Sequence, residues 1–399
     1  MTTESQIKGA PTTSESSHGI DTVAVHGGER RPGLFGSVVF PIFQGTVYGV
    51  EPGTGYHDIR YIRLNTTPTQ QYLHDKLAAL DRAEAAVATA SGMAALTAAL
   101  MTLLRQGDHV LAADCLYGGT HDFVTQHAEA LGWKYTFVDA QRPETWAAAV
   151  RDETRLFLVE TIANPLMRVA RLTDVVAFGR AHGLTTLIDN TFATPVLLQP
   201  LDLGFDLVFQ SATKYLNGHS DIVGGCVTGR RELVERVRHT LNHLGGSLDP
   251  HTAFLLARGI KTLALRVRAA CANAERLAHV LAAHPKVAAV NYPGLKSHPD
   301  HSHARELLRG GFGGMLSFRL RGSIEAADRL LAALAIPWVA PSLGGVETLI
   351  TRPAATSHAG MDPADRARIG ITDDLLRVSC GIESPEDLEA DFRQALEHV

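Results

Sequence analysis

Leu207-Val-Phe-Gln-Ser-Ala-Thr-Lys-Tyr-Leu-Asn-Gly-His-Ser-Asp221 opens as a short apolar run and closes as a polar turn. The run reads as a buried strand, which sets Lys214 just past a strand end with Ser211 and Thr213 on either side of it. Desolvation at such a place lowers an amine's pKa, so a neutral Lys214 can condense with an aldehyde while the two hydroxyls donate to a neighbouring phosphate. These are the requirements of a pyridoxal phosphate Schiff-base site. A lysine after a strand is also how a solvated strand end looks, so the rest of the chain has to decide.

Three further segments favour the cofactor. Asp189, in Ile188-Asp189-Asn190-Thr191 after the apolar Leu184-Thr-Thr-Leu187, places a carboxylate where a strand leaves a sheet; an acid there pairs with a protonated pyridine nitrogen, although a turn or cap aspartate has the same local look. Ala90-Ser91-Gly92-Met93 opens an Ala/Leu-rich helical segment whose free N–H groups suit a phosphate, or else simply a serine cap. Leu116-Tyr117-Gly118-Gly119-Thr120 puts an aromatic on a flexible turn, suited to stacking on a flat ring or to filling a core.

The periodicity predicts helices over 72–80, 93–104, 120–131, 144–150 and 172–182, alternating with short apolar strands over 109–112, 135–138, 156–159 and 185–188. That alternation implies a parallel sheet covered on both faces, with functional residues following the strands. Residues 261–283 form a long helical pattern, and after it come strands over 287–290, 315–319 and 375–379 with helices over 304–308, 324–334 and 385–398. The expected organisation is a disordered tail over 1–19, an arm over 20–68 that packs on another subunit, a larger mainly parallel-sheet α/β domain over 69–257, and a smaller α/β domain over 258–399.

In this order the four segments, with Thr22-Val-Ala-Val-His26, Pro41-Ile-Phe-Gln44 and Arg377-Val-Ser-Cys-Gly-Ile-Glu383, resemble the Cys/Met-metabolism family of PLP enzymes over nearly the whole chain. The resemblance implies the aspartate-aminotransferase-like fold (fold type I) and pyridoxal 5'-phosphate as cofactor. It implies that Lys214 carries the cofactor, Asp189 meets its pyridine nitrogen, Tyr117 stacks on its ring, and Gly92, Met93, Ser211 and Thr213 hold its phosphate. Tyr61 and Arg63 match a pair sent to a neighbouring subunit's phosphate. Asn164, Ser342 and Arg377 match the substrate-binding positions, Arg377 being the carboxylate fork. A homotetramer, a dimer of dimers with shared active sites, is likewise implied.

Family chemistry branches after loss of the Cα proton into β- or γ-elimination and γ-replacement by a thiol, with Tyr117 placed to assist the leaving group. Ser342-Leu-Gly-Gly-Val-Glu347 looks most like the cystathionine γ-synthase and γ-lyase members, so γ-replacement on an activated homoserine ester is the favoured expectation. Cystathionine or methionine γ-lyase or β-lyase activity is the alternative; a non-catalytic regulator or an aminotransferase-like enzyme stands outside that class. Three departures bear on specificity. The arm reads Tyr61-Ile-Arg63-Leu-Asn65-Thr-Thr-Pro68, one residue longer before the proline than the family pattern, and Ile162 replaces a usual proline. Arg60 stands where cystathionine-handling relatives often place an acid, which puts it among the expected substrate contacts and disfavours a distal ammonium.

Composition fits a soluble enzyme. With 399 residues, 45% of them hydrophobic, the chain can bury a large core, and a net charge of −5 argues against a nucleic-acid surface. Cys115, Cys226, Cys271 and Cys380 lack metal or disulfide spacing, which points to a reducing cytoplasm, and no segment has signal or membrane-spanning character. His298-Pro-Asp300-His301-Ser-His303 reads as a polar turn before a helix, so no metal is expected.

Overall fold

A computed structural model describes residues 18–399 except Arg30, Pro32, Ser323 and Met361; the expected tail falls almost wholly outside the described residues. The chain divides into two compact units, one of Met1–Leu103 with Gln199–Ala264, the other of Leu104–Leu198 with Leu265–Val399.

In the first unit the strand Leu207–Gln210 pairs antiparallel with Gly225–Gly229, which pairs antiparallel with Ala85–Thr89. The antiparallel return is forced by the connection. The lysine segment turns straight back from Gln210 to Gly225 without the helical crossover that a parallel neighbour requires. The strands Ala85–Thr89 and Gly225–Gly229 are built from Ala-Ala-Val-Ala-Thr and Gly-Cys-Val-Thr-Gly, whose small residues carry little strand signal. The helix Pro68–Asp81 starts four residues before the periodicity implies, because Pro68 is pre-set at its first position and the Thr67 N–H donates to Gln70 Oε1 at 3.2 Å.

The second unit holds the parallel strands, ordered Thr185–Asp189, Thr154–Glu160, His109–Ala113, Lys134–Val138. Leu156, Phe157, Leu158 and Val159 are all fully buried, as a strand covered on both faces demands. The helix Leu172–His182 ends at Gly183, whose φ of 64° no β-carbon residue adopts cheaply. Pro143–Ala149 is a 3-10 helix where an α-helix is expected; Trp146 is fully buried there and its Nε1 donates to Asp139 O at 2.8 Å, which holds the segment in a tighter winding. The same unit carries a second sheet, ordered Val287–Asn291, Met315–Leu320, Leu376–Ser379, Leu349–Thr351, Trp338–Val339, antiparallel except for its last pair. Leu316, Phe318, Ile350 and Val378 of this sheet share a core with Leu277 and Leu281 of the helix Leu263–Ala283 and Phe392 of the helix Pro385–Glu397.

One buried acid in the first unit has a measurable consequence. Asp81 ends its helix almost completely buried, with Thr228 Oγ1 and Gln210 Nε2 donating to Oδ2 at 2.7 and 3.1 Å. Among the described residues its Oδ1 has no partner, and neither has Gln210 Oε1. A proton on Oδ1 turns an unmatched acceptor into a donor, and burial pushes the Asp81 pKa up to about 7 against 3.8 for an ordinary aspartate. A folded pKa above the unfolded one means that the native state holds the proton, so stability is fully present below pH 4 and is lost as pH rises through about 7. Asp81→Asn is therefore expected to melt higher than the parent at pH 8 by a few degrees, on the order of 1 kcal/mol or more, with the gap closing at pH 5. Thermal melts across that range check the sign.

Candidate active site

The lysine sits on a loop closed at its neck. Thr213 N–H and Oγ1 both donate to Gly224 O, each at 3.1 Å, and Gly224 N–H donates back to Thr213 Oγ1 at 3.0 Å. Within it, Lys214 N–H donates to Ser211 O at 3.2 Å, and Gly218 N–H to Lys214 O at 2.8 Å. The backbone under Lys214 is thereby fixed relative to the two antiparallel strands. In this geometry the Thr213 hydroxyl gives its proton to Gly224, so a phosphate would have to replace that carbonyl as acceptor to receive it.

The helix Gly92–Leu103 begins against the same loop. A β-carbon on Gly92 would lie 2.8 Å from Ser211 Cβ, closer than such atoms approach, so only glycine lets the helix start meet the serine. Ser91 Oγ accepts from Ala94 N–H at 3.0 Å, capping the helix, and the N–H groups of Gly92 and Met93 lie in its first turn, ahead of the intrahelical ladder. Lys214, Ser211, Gly92 and Met93 are thus assembled within one unit. The cradle that a Gly92 β-carbon would fill, together with helix-terminal amides and a hydroxyl, is a donor set that fits a phosphate ester.

On the arm, Arg63 lies over the Tyr61 ring, 5.5 Å from its centroid, and Nη1 donates to Asn242 O at 3.1 Å. Asn65, with φ 59°, turns the chain after the 3-10 turn Ile62–Leu64. Arg60 is half-buried and close enough to Tyr48 for its charge to oppose the upward push that burial gives the Tyr48 hydroxyl.

In the second unit the parallel strands deliver two acids side by side. Glu160 and Asp189 are register partners at the last residues of their strands. Glu160 is only 6% exposed, and burial, then the neighbouring Asp189, hold its pKa well above the usual carboxylate range. Burial pushes Asp189 up to about 6, opposed by Thr191, whose N–H donates to Oδ1 at 2.8 Å. Burial thus works against charge on both members of the pair, while the Thr191 N–H favours the Asp189 anion and the Tyr117 N–H the Glu160 anion.

Glu160 Oε1 accepts the Tyr117 N–H at 2.5 Å. The Tyr117 ring itself is 44% exposed, a clamped backbone presenting a free aromatic face. Next to it, a β-carbon on Gly118 would stand 2.0 Å from Ser357 O, so the turn is wedged against that loop. Arg377 lies inside the strand Leu376–Ser379, 4% exposed, with Nη1 donating to Asn164 Oδ1 at 3.1 Å and Nη2 to Ser342 O at 2.9 Å. The three expected substrate positions therefore meet. His358 is buried and its pKa is lowered to about 4 by burial and then by Arg377, so it stays neutral and does not compete for an anion.

Sequence reading overlooked Glu160 as a partner of Asp189. Its signal is present, since an acid ending the all-apolar Leu156–Val159 run lies level with the acid ending the next strand. Of the histidines in the 298–303 run, His301 Nδ1 pairs with Pro293 O and His303 Nε2 with Ala170 O, at 2.8 and 2.9 Å. Among the described residues no cluster of histidine, cysteine, aspartate or glutamate is disposed to hold a metal ion.

Comparison with known proteins shows the family to which the chain belongs. The model of the family "Cys/Met metabolism PLP-dependent enzyme" matches residues 21–397. The cystathionine γ-lyase of Bacillus subtilis is 43% identical over 379 residues, 95% of this chain and 99% of the relative. The cystathionine β-lyase of Coxiella burnetii is 39% identical, covering 94% of this chain and 97% of its own length. The crystal structure of cystathionine γ-synthase from Xanthomonas oryzae pv. oryzae in complex with aminoacrylate and cysteine superposes with a TM-score of 0.92 at 38% identity, over 96% of this chain and 99% of that one.

The Arg377 contacts make its guanidinium a fork already oriented by two partners. Arg377→Lys replaces the fork with a point charge and loses one or both of those ties, and is expected to raise KM for amino-acid substrates by roughly tenfold to a hundredfold, about 1–3 kcal/mol, with kcat changing less. Steady-state kinetics on two unrelated amino acids measures this; an unchanged KM places the α-carboxylate elsewhere.

Proposed function

Because the chain belongs to the Cys/Met-metabolism family of pyridoxal-phosphate-dependent enzymes, we propose that it acts at the γ-carbon of its amino-acid substrate, replacing the leaving group of an activated homoserine ester by a nucleophile. That it is a PLP-dependent lyase or synthase of sulfur amino-acid metabolism follows from the family itself. The observation that carries the amino-acid reading is the buried Arg377 held by Asn164 and Ser342, a ready receptor for an α-carboxylate. C–S γ-elimination is the second reading, supported by the name of the Bacillus relative.

When bound, pyridoxal phosphate supplies an electron sink for charge developing at the substrate's Cα. The chain supplies the rest. Lys214 Nζ is the base that takes the Cα proton, and for γ-chemistry a Cβ proton, from a fixed loop. Asp189 would face the pyridine nitrogen as its carboxylate partner. Gly92, Met93 and Ser211 would hold the phosphate, joined by Thr213 once its hydroxyl leaves Gly224 O; Tyr117 would cover the ring, and its hydroxyl would supply a proton to the departing group. Arg377, Asn164 and Ser342 orient the carboxylate.

Assembly and location belong to the same reading. The arm exposes Phe35, Val38 and Val47 at 82%, 88% and 83%, apolar surface that a second copy would cover, in keeping with a homotetramer whose sites share Tyr61 and Arg63. All four cysteines are free, as in a reducing cytoplasm, and among the described residues no helix is long and apolar enough to cross a membrane.

Two experiments test the proposal. Lys214→Ala is expected to lower turnover by roughly a thousandfold or more and to abolish the visible absorption of lysine-bound cofactor; near-parental turnover overturns the assignment. Acetyl-, succinyl- and phosphohomoserine, each with and without cysteine, homocysteine or sulfide, distinguish replacement from elimination.

Arg60 is expected to select against a distal ammonium. With matched S-alkyl homocysteines ending in a carboxylate or an ammonium, Arg60→Glu is expected to shift the kcat/KM ratio toward the ammonium by about tenfold, the scale of one charge at a partly screened site. An unaltered ratio means that Arg60 faces away from the substrate.

A further inference from the structure

The role assigned to Tyr117 requires its turn to be held still, and that turn ends on one side chain. Glu160 Oε1 takes the Tyr117 N–H at 2.5 Å. Glu160 is itself immobile, being the last residue of a buried strand and level with Asp189. The next residue, Thr161, fastens the two strand ends together: its N–H donates to Asp189 O at 3.0 Å and its Oγ1 to Asn190 Oδ1 at 2.7 Å. The Tyr117 carbonyl, by contrast, is engaged within its own helix, accepting from the Thr120 and His121 N–H groups at 2.8 and 2.9 Å.

We propose that Glu160 is a positioning residue that sets the ring-stacking turn at Tyr117 through its Oε1. The inference rests on the cofactor role given above for Tyr117. Because the partner is a single main-chain N–H, the side chain needs an acceptor oxygen at the correct reach. Glu160→Gln preserves that reach and, through its amide oxygen, the acceptor. Glu160→Asp keeps the acid but withdraws the oxygens by one methylene, and Glu160→Leu keeps the size and removes the acceptor.

The test uses purified full-length protein, with wild-type cofactor binding established first, so that failure of the cofactor reading shows before any variant is compared. Apoenzyme is then titrated with pyridoxal phosphate, following its absorption and the quenching of tryptophan fluorescence, and KM and kcat are measured separately. Glu160→Gln is expected to stay within about threefold of wild type in cofactor Kd and in KM. Glu160→Asp and Glu160→Leu are each expected to weaken cofactor binding by roughly three- to tenfold, with the amino-acid KM and kcat moving less. A merely structural role would lower melting temperature and active fraction without moving Kd. Should Glu160→Leu fail to fold, the Asp and Gln pair decides alone. A wild-type Kd in Glu160→Asp overturns the proposal, and so does a Gln variant as impaired as the Asp variant.

Discussion

Two carboxyl groups at the ends of adjacent parallel strands cannot both be charged in dry surroundings, and the second unit is organised by that constraint. Register places Glu160 beside Asp189, and burial raises both. Each acid meets a donor that works against its burial: the Thr191 N–H for Asp189 and the Tyr117 N–H for Glu160. The same donors fix the two carboxyl groups in place at the strand ends. Parallel strands make this arrangement natural, because register partners project to the same face and both chains leave the sheet at the same edge.

The first unit meets a different demand, which is to hold a long flexible side chain at a fixed point. Its answer is the reciprocal closure of Thr213 on Gly224, backed by close contact between Gly92 and Ser211. Small residues recur along this junction for a steric reason. Thr89, Gly225 and Ser91 crowd one another so closely that a β-carbon on Gly225 would fall 2.3 Å from Ser91 O. The helix start can approach the lysine loop only because the side chains between them have been removed.

Much of this was legible in the chain. The parallel strands and the Leu172–His182 helix stand where periodicity puts them, since buried strands and amphipathic helices write their surroundings into local composition. Lys214, Asp189, Tyr117 and Gly92 each lie at the edge of such an element, as their local sequence implies. What escaped was relational. The start of the helix at Pro68 depends on a cap formed with Gln70, the antiparallel ribbon on where a loop returns, and the part played by Glu160 on which residue lies opposite it in another strand. A cross-strand partner leaves no mark in a linear sequence unless both strands are already aligned. Thr213 is instructive in the same way: its neighbour Lys214 suggests a phosphate ligand, while its hydroxyl is engaged in closing the loop.

The wedge between Gly118 and Ser357 has a mechanical meaning. The carbonyl of Ser357 occupies the space where any side chain at 118 would stand, so the aromatic turn and the segment around Ser357 behave as a latch and its keeper. Ser357 Oγ in turn bonds Nδ1 of the neutral His358 at 2.9 Å, which stiffens the keeper from behind. A displacement of residues far along the chain, beyond the second sheet's central strands, is thus delivered to the aromatic as a push on a single peptide group. Drift in substrate preference can arise in this way from substitutions in the 353–358 stretch that touch neither substrate nor cofactor.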